Sequence, residues 1–199
     1  MHEAEIQRIF DESGRVRERF AKRSKKALAA VVDLCADALE RGGTLFFFGN
    51  GGSAADAQHL AAEFVNRYKL PRAPLPALAL TTDSSALTSI ANDFGYREVF
   101  AKQIEALART GDVAFAISTS GNAANVLRAV ATCKRRGVTT VGLTGGTGGK
   151  MADRVDHLLC VDGSADTARI QETHIVIGHA VCELVENELA RRSAKTKAK

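Results

Sequence analysis

Four side chains that can hold a metal ion or move a proton fall at helical spacings. His59 and Glu63 stand four residues apart, so on a helix they share one face. Gln171 and His179 lie about two turns apart near the other end of the chain. Imidazole and carboxylate are the commonest general acids and bases near neutral pH, and both are zinc ligands. Spacing alone does not prefer Gln171 to its neighbour Glu172, nor does it exclude His174. His174 and His179 point about 140° apart around a helix, so the two do not reach one ion together. A His–Glu pair four residues apart is also an ordinary surface pair.

Two loops have the composition of anion sites. The first is Gly49-Asn50-Gly51-Gly52-Ser53-Ala54. Its glycines let backbone approach a ligand, and free N–H groups where a helix begins favour an anion. The spacing also fits a dinucleotide fingerprint loosely. The acid expected about 20 residues later would have to be Asp83, which lies too far on. The second loop, Ser118-Thr119-Ser120-Gly121-Asn122, sets three hydroxyls in a row, which suits the oxygens of a monophosphate ester. A dinucleotide domain does not need it, so the two loops together favour a phosphorylated small molecule. A third run, Thr144-Gly145-Gly146-Thr147-Gly148-Gly149-Lys150, imitates a nucleotide P-loop. It has Thr144 in place of the first glycine and Met151 in place of the magnesium-binding hydroxyl, and it reads as a tight turn.

These loops need strands behind them and helices in front. Short apolar runs at 44–48, 77–80, 113–117, 139–143 and 157–161 alternate with helical stretches at 53–68, 83–93, 97–108, 125–136 and 167–190. A loop is expected at Asn92-Asp93-Phe94-Gly95. Residues 1–41 read as helix, with Gly14 dividing two N-terminal helices and Gly42-Gly43 ending the second. The pattern predicts one α/β domain: a three-layer sandwich with a five-stranded parallel sheet flanked by helices. Ligands in such folds bind beyond the carboxyl ends of the strands.

The bulk composition narrows the function classes. Five of the positive charges behind the net +4 lie in 191–199, which has no acid, so the rest of the chain is close to neutral. This tail reads as frayed, and no nucleic-acid groove is expected. No run approaches the roughly 20 apolar residues needed to cross a bilayer, so no membrane partner is expected. The four cysteines are widely spaced and form no CxxC pair, as expected of buried free thiols in the cytoplasm.

GNGGSA and STSGN after buried strands resemble the sugar isomerase (SIS) domain. The longer strings GNGGSAADAQHLAAEF, ALTTDSSALTSIANDFGY, ISTSGNAANVLRAV and ADTARIQETHIVIGH resemble the phosphoheptose isomerase branch. That resemblance implies the SIS fold. The implied reaction interconverts sedoheptulose 7-phosphate and D-glycero-D-manno-heptose 7-phosphate through an enediol, supplying lipopolysaccharide or another surface polysaccharide. It further implies one zinc ion on His59, Glu63, Gln171 and His179, with Glu63 as base and His179 as partner acid. Substrate contacts are implied at Asn50, Gly51, Gly52, Ser53, Glu63, Arg67, Asn92, Asp93, Ser118, Thr119, Ser120 and Gln171, in a homotetramer with shared active sites. One departure stands out: Ala123 replaces a serine that touches the phosphate in the family, so weaker phosphate binding is expected. The rival reading is a non-catalytic SIS protein that binds the replication initiator. Retention of Glu63 and His179 favours the enzyme. A sugar-phosphate-sensing regulator would need a helix-turn-helix domain for which the first forty residues leave no room.

Overall fold

The structure, a computed structural model, describes residues 2–197. Helix α1 (His2–Glu40) is one continuous element, which corrects the expectation of two N-terminal helices. A mid-helix glycine costs about 1 kcal/mol relative to alanine. The buried stripe runs on across Gly14, from Ser13, Val16 and Phe20 to Val31, Cys35 and Leu39, and this packing outweighs the penalty. The helix ends as expected. Gly42, at φ 77°, donates to Leu39 O, and Gly43 donates to Ala38 O, closing a Schellman motif.

Strand β1 (Leu45–Gly49) leads into α2 (Gly52–Val65), and β2 (Ala77–Ala79) into α3 (Ser84–Phe94). A 3-10 turn at Tyr96–Glu98 opens α4 (Val99–Leu107). Then follow β3 (Val113–Ile117), α5 (Ala124–Arg136), β4 (Thr139–Gly145), β5 (His157–Val161) and α6 (Thr167–Lys197). All five strands are parallel in the order β2-β1-β3-β4-β5. Every residue of β1 and β3 is buried, because helices cover both faces of the sheet. Leu45, Phe47, Val113 and Phe115 face the layer of α1, α2 and α6. Phe46, Phe48, Ala114 and Ala116 face α4 and α5.

Two further expectations change. Asn92 and Asp93 close α3 rather than lying in a loop, and the turn falls at Gly95, φ 85°. Helix α6 continues through the first part of the basic tail. Arg192 bonds Glu188 on its own helix and Asp37 and Glu40 on α1, so the chain is helical as far as Lys197 instead of frayed from Arg191. Lys199, the last tail cation, lies outside the described residues. Cys35, Cys133 and Cys182 are buried free thiols, and Cys160 is partly buried.

The strand order reverses between β1 and β3, so their connections diverge and open a crevice at the carboxyl ends. Both anion-type loops leave the sheet there.

Candidate active site

Asn50, Gly51, Gly52, Ser53, Ser118, Thr119 and Ser120 line one pocket, with Gln171, Thr167, Ile117 and Ala123 completing it. Neither α2 nor α5 has a side-chain cap at its start, so free N–H groups at the helix starts are available to an anion. Gly51, at φ 56°, makes the turn into α2. The amide of Asn50 is locked by a reciprocal pair of hydrogen bonds with Asn125, 2.9 and 2.8 Å, and accepts a third from the Tyr96 hydroxyl at 3.2 Å. Asn125 ties the two loops together. Its position just inside a helix start carried no signal in sequence.

The third glycine run is a turn, as its pattern predicts, and it has a structural task. Gly145 N–H donates to Thr119 O at 2.9 Å, Met151 N–H to Gly121 O at 3.0 Å and Lys150 N–H to Asn122 Oδ1 at 3.0 Å. This turn is the backbone brace beneath the hydroxyl loop.

Helices α2 and α6 bring His59, Glu63 and His179 together, with one donor atom from each lying within 4.8 Å of the others. The close approach depends on Gly178, where a Cβ would sit 2.4 Å from Leu60 Cδ2. His59 Nε2 and His179 Nε2 are 2.8 Å apart, so one ring shares its proton with the other, and His59 Nε2 is 3.5 Å from Glu63 Oε1. The Tyr68 ring lies 5.5 Å from that of His179. Burial and the neighbouring His59 push the His179 pKa down despite Glu63, so its neutral imidazole is favoured. Two imidazole nitrogens and a carboxylate oxygen, partly open to solvent, fit a divalent metal with an open coordination position.

Gln171 lies at the junction of pocket and cluster. Its amide packs on Gly52, where a Cβ would come within 2.3 Å of Nε2. Asn92, Asp93 and Arg67 are exposed and do not line the pocket of the single chain. Asn92 instead donates to Asp93 at 2.9 Å.

His174 faces away from the cluster, as the angular argument required. It is fully buried, and Nε2–H donates to Thr144 O at 3.0 Å. Burial pushes its pKa down to about 4 from an ordinary 6.5. Between those values the unfolded chain binds a proton that the folded chain does not. Stability is therefore fully present above pH 6.5 and falls as the pH drops toward 4, by on the order of 3 kcal/mol from this group. Denaturant unfolding across that range should show the loss, and His174→Gln should flatten the profile.

Comparison with known proteins places this geometry in a family. The chain matches the SIS domain family over residues 9–145. It is 48% identical over 187 residues to the phosphoheptose isomerase of Thermodesulfovibrio yellowstonii, covering 94% of this chain and 92% of that one. It is 58% identical over 156 residues to the phosphoheptose isomerase of Paramagnetospirillum magneticum, covering 78% and 81%. The structure of phosphoheptose isomerase from Neisseria gonorrhoeae superposes with a TM-score of 0.88 at 43% identity, covering 94% of this chain and all of that one. Identity at this level over nearly the whole chain, joined to paired anion loops at the strand-order reversal, makes the chain a member of the SIS domain family and, within it, of the phosphoheptose isomerases.

Proposed function

We propose that Glu63 and His179 carry the proton transfers by which this phosphoheptose isomerase interconverts sedoheptulose 7-phosphate and D-glycero-D-manno-heptose 7-phosphate. The observation that carries the assignment is their convergence across α2 and α6 while both helices also line the anion pocket. With the phosphate on the two helix starts and the serine and threonine hydroxyls, the sugar chain extends along α2. His59 and Glu63 follow Ser53 by about 9 and 15 Å of helix rise, and their side chains lean back toward the pocket. Glu63 takes the proton from C1 of the open-chain ketose, and His179 donates to the carbonyl oxygen at C2, giving the enediol. Glu63 then returns the proton to C2 as the C1 hydroxyl loses its own, leaving the aldehyde.

His59, Glu63, His179 and, by resemblance, Gln171 would hold zinc, which when bound polarises the carbonyl and favours the developing enediolate. A carboxylate engaged by a cation is a weaker base, so the two roles of Glu63 compete. The finer reading is a cytoplasmic homotetramer that feeds heptose nucleotide synthesis for a surface polysaccharide. It is supported by the exposed apolar side chains of Ile6, Phe10 and Val176, and by Arg67, Asn92 and Asp93 standing clear of their own chain's pocket.

The test is to incubate the protein with sedoheptulose 7-phosphate, as purified, after chelation and with zinc restored. Formation of the aldose phosphate is expected, lowered by chelation and recovered with zinc. An inactive protein under all three conditions would overturn the activity, and activity indifferent to chelator would overturn the metal role.

A further inference from the structure

Glu186 and Arg72 form a buried ion pair outside the reacting cluster. The Glu186 side chain is 1% exposed and that of Arg72 14%. Glu186 accepts backbone N–H groups from Tyr68 at 2.7 Å, Lys69 at 2.8 Å and Leu70 at 2.9 Å, and Arg72 Nε at 2.8 Å. The other arms of Arg72 reach backbone carbonyls: Glu63 O and Phe64 O at 2.8 Å, Ala73 O at 3.0 Å and Asn66 O at 3.3 Å. Helix α2 has no basic residue of its own in its last turn, so Arg72 supplies the charge its terminal carbonyls favour. Burial alone would raise the Glu186 carboxyl, but the three N–H groups and Arg72 outweigh it and hold the group below the usual carboxylate range.

A buried ion pair is weak evidence of a stability role, since two apolar side chains often serve as well. What apolar side chains could not do is join these particular elements. Glu186 lies seven residues beyond His179 on α6, two turns along the same face. Through one carboxylate it grips the segment that sets the Tyr68 ring against His179. Through Arg72 it grips the carbonyl of Glu63 itself. We infer that Glu186 and Arg72 are positioning residues for the isomerisation, which hold the end of α2 on α6 and so set Glu63 against His179. The inference rests on the assignment of Glu63 and His179 as the proton-transfer pair.

A misplacement near 1 Å at a reacting group can cost about a hundredfold in rate, whereas the phosphate pocket lies at the other end of α2. Glu186→Gln and Arg72→Lys are therefore expected to lower kcat at least tenfold with KM within twofold, measured well below each variant's melting temperature. Arg72→Lys keeps the charge beside Glu186 and carries the test if Glu186→Gln folds poorly. The control is Asp156→Asn, which removes a carboxylate clamp on Thr140 at the amino end of the sheet. It should lower the melting temperature and keep kcat within twofold. Near-wild-type kcat in folded Glu186→Gln and Arg72→Lys would overturn the inference. So would a rise in KM at constant kcat, or a kcat loss in Asp156→Asn matching theirs. Glu63→Gln in the same assay separates the two claims: if it turns over freely, the base assignment fails whatever Glu186 does.

Discussion

Glu63→Gln is expected to lower kcat by about 10²- to 10⁴-fold, the usual contribution of a positioned general base. Glutamine keeps the shape of the side chain and cannot take a proton from carbon. The fold should survive, because the Glu63 side chain is partly solvent-exposed and its one ion pair is a 3.5 Å contact with His59. KM should change little, since the phosphate is held ten residues earlier on the same helix, at Ser53 and the loop before it. Steady-state turnover gives the first readout. Exchange of the C1 hydrogen with deuterium oxide, followed by NMR, gives the second and isolates the proton-abstraction step. Loss of turnover with exchange retained would place Glu63 after that step and refute its role as the base.

Gly121→Ala is expected to damage both stability and phosphate binding. Gly121 sits at φ 64°, where a residue with a Cβ is strained by about 1–2 kcal/mol. The Cβ would also lie 1.9 Å from Gly148 O. That carbonyl has little room to retreat, because Gly148 N–H is bonded to Gly145 O and Met151 N–H to Gly121 O. Either the hydroxyl loop or its brace must shift. A total cost of about 2–4 kcal/mol follows from strain plus displaced backbone, with KM raised at least tenfold and inorganic phosphate a correspondingly poorer competitor. Gly42→Ala is the matched comparison. Its φ is 77°, but a Cβ there meets nothing within 4 Å, so it should cost about 1 kcal/mol and leave KM alone. Equal KM in Gly121→Ala and wild type would show that the brace does not shape the anion pocket.

What could be read from sequence is what neighbouring residues decide among themselves. The apolar runs, the glycines of the Gly49–Ala54 turn, the row Ser118–Ser120 and the i,i+4 pair His59–Glu63 each state a local conformation or a shared face, because their physics acts within one turn or one strand. The fold class, and the placing of both anion loops at strand ends, follow from such signals. Resemblance then singled out His59, Glu63, Gln171 and His179, where spacing had left Glu172 and His174 open.

Tertiary structure alone decided the rest. Burial across Gly14 made one helix of two. It made the 144–150 turn a brace, sent His174 to β4, and turned Arg72 and Glu186 into a clamp between segments 114 residues apart. A buried charge looks like a surface charge in any pattern of composition. Its partner is chosen by packing between distant segments, and that choice has no periodicity a linear chain can display.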